Sequence, residues 1–158
     1  GALVVANPMG SVTTASGKYF WAAPFEVDGE FGGMGVDPEH ASFDVKQSPK
    51  EAAMMIFNAE MSNTTIAIVA TDAPLTKTQC HRLAVTAHDG MARAIVPSHT
   101  PLDGDLIFGV STTNGAVDYN IFRDIGAAAA VCLSRAIARG IYEATSHADD
   151  ILPTYRSS

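Results

Sequence analysis

The chain has 158 residues, 47% of them apolar and 17% charged, with a net charge of −7. That length suits one domain with a sizeable core, and the composition excludes a disordered chain. The acidic balance, without any run of Lys and Arg, excludes a phosphate-tracking surface for nucleic acid, and no apolar run reaches the eighteen or so residues that span a bilayer. The start carries no basic-then-apolar leader. Cys80 and Cys132 lack the spacing of a zinc site or a disulfide framework. Two half-buried reduced thiols in a cytoplasmic protein are the expectation.

Residues 2–6 form an apolar run that reads as a strand, closed by the turn signature Asn7-Pro8-Met9-Gly10. The chain begins within that strand, as if inside a fold. Residues 18–47 are rich in Gly, Pro, aromatics and acids and read as irregular. Ser48-Pro49-Lys50-Glu51 places a capping Ser, a Pro at the first helical position and a Glu three residues after the cap, so a helix is expected from Pro49 to about Asn58. Thr64–Thr71 is the clearest strand, β-branched, apolar and bounded by polar residues. Thr76 and Gln79 make a second capping box and open a helix of about twenty residues ended by Pro97, with Leu83, Ala87, Met91 and Ala94 on one stripe. A second strand spans Leu106–Thr112. Asp118 to about Thr145 reads as one long helix with Ile121, Ile125, Ala128, Cys132, Ala136 and Ile137 at helical spacing, and a polar, loose tail follows from Ser146. The order strand, helix, strand, helix predicts an α/β fold with helices packed on a sheet.

Three stretches carry candidate chemistry. Asn63-Thr64-Thr65 is a turn or strand start by its residue types, and it also matches the N-glycosylation acceptor pattern. A sharper reading is available. A Thr hydroxyl beside a strained peptide can attack the preceding carbonyl, and hydrolysis of the resulting ester leaves Thr64 at a new N-terminus. Nucleophile and base then share one residue, because an α-amine titrates at roughly 7.7–8.0. Asp103-Gly104-Asp105 is a turn by its dipeptides. It could instead hold a cation with His99, or orient the ammonium of an N-terminal Thr. If the two strands pair in parallel, with the intervening helix as crossover, that loop and Thr64 meet at one end of the sheet. Asn7 is either an Asn-Pro turn residue or an amide donor to an oxyanion. His40, His81, His88, His99 and His147 form no metal motif, and His81 and His88 read as solvated helix residues.

Asn7-Pro8-x-Gly10, Asn63-Thr64-Thr65-Ile66 and His99-Thr100-Pro101-Leu102-Asp103-Gly104-Asp105, in that order, resemble the self-cleaving N-terminal-nucleophile amidases. These are typified by L-aminopeptidase/D-esterase, β-peptidyl aminopeptidase and the endo-type 6-aminohexanoate (nylon) oligomer hydrolase. The resemblance covers about the C-terminal half of a family precursor and is loose from Ser16 to Glu60. It implies a layered α-β-β-α sandwich, incomplete here. The single domain 1–158 would divide into the end of a first (α) subunit, 1–63, and a second (β) subunit, 64–158, cut at Asn63–Thr64.

The resemblance further implies Thr64 as nucleophile, Asp103 and Asp105 as the acids contacting the nucleophile and its amine, and Asn7 as the oxyanion residue. No metal or cofactor is implied. A homo-oligomer acting on small peptides, β-peptides or linear oligoamides is. A Tyr and a Lys lining the family's site would come from upstream of Gly1, and no residue of this chain is matched to them. Alternatives are a cation-dependent hydrolase using His99, Asp103 and Asp105, a related acyl transferase, and an inactive remnant or unprocessed fragment.

Overall fold

The computed structural model describes residues 1–39, 48–57, 63–150 and 152–157. Strands β1 (Ala2–Val5), β2 (Ile66–Thr71) and β3 (Leu106–Ser111) make one sheet in the order β1-β2-β3. β1 pairs antiparallel with β2, Val5 opposite Ile66, and β2 pairs parallel with β3, Ile66 opposite Leu106. Helices α1 (Pro49–Phe57), α2 (Lys77–Ala94) and α3 (Tyr119–Tyr142) follow, with short 3₁₀ turns at Ala23–Phe25 and Tyr155–Ser157. The parallel pairing needs a crossover, and α2 supplies it.

Local chemistry accounts for the element ends. Thr76 caps α2 through Oγ1, which accepts from the Gln79 N–H at 3.1 Å, while Gln79 Oε1 accepts from the Thr76 N–H at 3.0 Å. Asp118 caps α3 with bonds from the Asn120 and Ile121 N–H groups. Ser48 Oγ accepts from the Glu51 N–H at 3.1 Å and donates to the Met9 carbonyl at 2.7 Å, so the cap of α1 is also its tether to the turn after β1. Asn58, the expected end of that helix, lies outside the described residues, as do His40 and the last part of the 18–47 stretch.

The core lies between one face of the sheet and α2 and α3. Ala67 and Val69 of β2 and Ile107 of β3 join Leu83, Ala87 and Met91 of α2 with Leu133 and Ile137 of α3. All four residues of the expected α2 stripe are buried. In α3 the buried face is Gly126, Ala130, Leu133, Ser134, Ile137 and Ala138, while Ile121 and Ala128 are exposed. Ile137 of the expected stripe is buried, but helical spacing alone set the rest of it off this face because the two helices approach through small residues such as Ala130. A Cβ on Gly90 of α2 would sit 2.2 Å from the Ala130 carbonyl oxygen.

The tail is held rather than loose. Tyr155 stacks within 4.6 Å of Phe20 and 5.7 Å of Tyr142, and its hydroxyl donates to the Lys18 carbonyl at 2.7 Å.

The sheet's second face is apolar and open. Leu3, Val5, Ile66, Ile68, Leu106, Phe108 and Val110 all lie on it, with Leu3 70% and Phe108 55% exposed. A second sheet layer is not present among the described residues.

The contact between α2 and α3 yields a paired test. Gly90→Ala should lose about 3 kcal/mol of stability, because a helix backbone must move to admit the methyl group. Gly140→Ala, whose Cβ meets nothing within 4 Å, should gain about 0.5–1 kcal/mol. Urea unfolding of both variants checks the pair, and equal effects would contradict the close approach.

Candidate active site

Strand register builds the site. Carrying the β1–β2 pairing two residues beyond Val5 and Ile66 sets Asn7 opposite Thr64, and the Thr64 N–H donates to the Asn7 carbonyl at 3.0 Å. Carrying the β2–β3 pairing back by the same step sets Thr64 opposite Gly104, with Asn63 bridged to Asp103. Asn7, Thr64 and the Asp-Gly-Asp loop therefore meet at one end of the sheet, as parallel pairing predicts. β2 begins at Ile66 rather than Thr64: the Thr64 N–H still follows the β1–β2 pairing to Asn7, but the Thr65 N–H leaves the ladder for Asp105 Oδ1 at 2.8 Å.

The bond before Thr64 has a distinct environment. Thr64 Oγ1 donates to the Asn63 carbonyl oxygen at 2.6 Å, and the Gly104 N–H donates to that same oxygen at 3.0 Å. A Cβ on Gly104 would lie 2.9 Å from Thr64 Oγ1, so glycine is the residue that lets the loop pass directly over the hydroxyl. Asn63 and Thr65 are buried and Thr64 half-buried. This carbonyl thus has a hydroxyl and a backbone donor converging on its oxygen, the geometry that supports negative charge developing there.

Both acids are held by bonds of their own. Asp103 Oδ1 accepts from the Met9 N–H at 2.9 Å, and Oδ2 accepts from the Thr100 hydroxyl at 2.6 Å and N–H at 3.0 Å. Asp105, only 3% exposed at its side chain, takes the Thr65 N–H on Oδ1 and faces His99 Nδ1 at 2.9 Å through Oδ2. The Asp-Gly-Asp loop is thereby fixed to the turn after β1 on one side and to the start of β2 on the other.

Two contributors escaped the sequence reading. His88 of α2 is half-buried, and its Nδ1 lies 3.2 Å from His99 Nε2, which continues the chain Asp105–His99–His88. It was expected to be a solvated helix residue. Only its spacing from His81 was legible, and the partner sits on a loop eleven residues later. Lys50, on the first turn of α1, is buried, and its Nζ donates to Asn7 Oδ1 at 2.6 Å, to the Pro8 carbonyl at 3.3 Å and to the Asn7 carbonyl at 3.4 Å. Burial holds the Lys50 ammonium below its ordinary range, and the Asp103 carboxylate opposes that shift. No lysine of this chain was expected at the site, and one is there. Thr65 Oγ1 is buried with no hydrogen-bond partner among the described residues.

Asp103, Asp105 and His99 do not converge as metal ligands, since among the described residues no three His, Cys, Asp or Glu side chains do so. Cys80 and Cys132 are both free and half-buried, as expected. No helix among the described residues is long and apolar enough to cross a membrane.

Comparison with known proteins places the chain in a family context. The sequence model of peptidase family S58 matches residues 1–150. Uncharacterised aminopeptidases of Mycobacterium bovis and Mycobacterium tuberculosis are 38% identical over 169 residues, covering 99% of this chain and 46% of theirs. The chain therefore spans about half the length of these relatives. A 6-aminohexanoate-oligomer endohydrolase of Paenarthrobacter ureafaciens is 30% identical over 111 residues, 70% of this chain and 29% of that protein. A Burkholderia sp. β-aminopeptidase structure aligns over 55% of this chain and 30% of its own, with TM-score 0.43 and 25% identity.

The histidine pair generates a pH test. Burial lowers the pKa of His88, the neighbouring His99 adds to this, and Asp105 and Asp89 oppose it. The unfolded chain then binds this proton at higher pH than the folded one, so its contribution to stability is intact above roughly pH 6.5 and lost as the pH falls. Wild type should lose more stability than His88→Gln between about pH 7.5 and about pH 5.5, measured by urea unfolding at both. Parallel losses would contradict the assignment.

Proposed function

The chain belongs to peptidase family S58, and from that premise we propose that it is an amide-bond hydrolase whose nucleophile, Thr64, is made N-terminal by self-cleavage after Asn63. One observation carries the reading. Thr64 Oγ1 stands 2.6 Å from the Asn63 carbonyl oxygen, which is also held at 3.0 Å by the Gly104 N–H.

In the first reaction, Thr64 Oγ1 attacks the Asn63 carbonyl carbon. The Asn63–Thr64 C–N bond breaks, the proton passes to the Thr64 nitrogen, and an ester joins Asn63 to Oγ1. Water hydrolyses that ester, leaving the Asn63 carboxylate and a free Thr64 with hydroxyl and α-amine. The Gly104 N–H supports the oxyanion of this step.

In the second reaction, Oγ1 attacks a substrate amide while the α-amine accepts its proton. An acyl ester forms, the amine product leaves with that proton, and water releases the acid. The Asn7 amide donates to the oxyanion, and Asp103 and Asp105 hold and balance the new ammonium. Small peptides, β-peptides and linear oligoamides are the substrate class, in keeping with the names of the aminopeptidase and oligomer-endohydrolase relatives. The open apolar face of the sheet supports the layered α-β-β-α sandwich, with a second sheet from the rest of a longer protein lying over Leu3, Ile68 and Phe108.

Thr64→Ala should leave a single uncut chain, whereas wild type gives two masses that together equal the chain plus one water. A Thr64→Ala protein still split after Asn63 would sink the mechanism. Gly104→Ala should slow the cut at least tenfold, since its methyl must displace Oγ1 and about 1.4 kcal/mol of barrier suffices for that factor. A time course by intact mass spectrometry reads it, and cleavage at the wild-type rate would remove Gly104 from the mechanism.

A further inference from the structure

Among the groups around Thr64, Lys50 is the cation no part of the mechanism has used. It comes from α1, outside the motifs that mark the site, yet its ammonium is buried and all three of its donors have acceptors on Asn7 and Pro8. Two consequences follow from that geometry. An ammonium has no acceptor capacity, so it fixes the Asn7 amide with its oxygen toward Lys50. The Asn7 carbonyl, moreover, accepts from both Lys50 Nζ, at 3.4 Å, and the Thr64 nitrogen, at 3.0 Å. The two nitrogens therefore lie at most about 6.4 Å apart, at the outer edge of the range in which like charges disfavour each other.

We propose that Lys50 is a positioning residue of the Thr64 site, setting the orientation of the Asn7 amide and, by its charge, keeping the Thr64 α-amine in the free-base form that accepts a proton. The proposal rests on Thr64 being the processed nucleophile. The other charged groups around the amine act in the opposite direction or at greater distance. Asp103 and Asp105 flank it from the loop before β3 and favour the ammonium. His99 stands behind Asp105, and His88 of α2 stands behind His99. Without Lys50, two carboxylates would hold the amine protonated, and a protonated amine cannot serve as base. Lys50 offsets them from the Asn7 side. Burial at the foot of α1 keeps this charge unscreened, where a surface lysine at the same distance would be masked by water and salt.

Competitive acetylation of the Thr64 α-amine with acetic anhydride across pH, read by peptide mass spectrometry on the processed full-length protein, tests this. The wild-type amine should be half-labelled at or below about pH 7.7, within or under the ordinary α-amine range despite its two carboxylate neighbours. Lys50→Met should move that midpoint up by about one pH unit, and Lys50→Arg, which keeps the charge, should leave it near the wild-type position. An unmoved or lowered midpoint in Lys50→Met overturns the proposal. So does a wild-type midpoint above about pH 8.5, a result available even if the Met variant is not cut. A wild-type protein without a free Thr64 N-terminus is seen as a single mass before any labelling. That outcome fails the nucleophile reading itself, and the proposal falls with it.

Discussion

Because β2 runs antiparallel to β1 and parallel to β3, with Val5 and Leu106 both opposite Ile66, the residues just outside the three strands are carried into one row. Asn7, Thr64 and Gly104 stand side by side in that row, from segments far apart in the chain. No side chain had to search for its partner. The backbone ladder places them, and the ladder is held by the apolar core between the sheet and α2 and α3. Anything that slips a strand by one residue would turn the Thr64 hydroxyl toward the opposite face, since alternate strand residues point to opposite sides.

The row then sets the electrostatics. Asp103 and Asp105 flank Gly104, so two carboxylates straddle the position facing Thr64. Each is anchored by backbone N–H groups from a neighbouring segment, Met9 and Thr100 for one and Thr65 for the other. Such bonds hold the two side chains in place, and preorganised groups of this kind do not reorganise when a reaction proceeds. Lys50 enters from the opposite side through a helix whose cap, Ser48, is itself tied to Met9. The turn after β1 thus acts as a hub. Its backbone receives Lys50, Ser48 and the Thr64 N–H, and its Met9 N–H holds Asp103.

Most of this row was legible in the sequence as pieces, and the reasons differ by residue. Thr64 and the Asp-Gly-Asp loop stood at the starts of two apolar runs joined by a well-capped helix, a pattern that brings their N-terminal ends together if the strands pair in parallel, as they do. Asn7 was found by its motif context, whereas its register against Thr64 needed the antiparallel direction of β1, which composition does not encode. Lys50 was not legible. It sits at an ordinary first-turn position, and its role depends on where α1 lands. His88 was missed for the same reason, its partner being on a loop. The α3 face was misjudged because helix contact through Gly90, Gly126 and Ala130 is governed by the absence of side chains, which hydrophobic periodicity does not register.

The antiparallel pair β1–β2 lies on both sides of the Asn63–Thr64 bond. A cut there leaves four cross-strand pairs, Ala2–Val69 through Val5–Ile66, as contacts between two separate polypeptides. Folding of a protein so cut would then be an association. Its midpoint of unfolding would rise with protein concentration, as a uncut chain's does not. Once the pieces separate, the bond that joined them is no longer there to bring them back, so the sheet must hold by pairing and burial alone what the chain first assembled by connectivity.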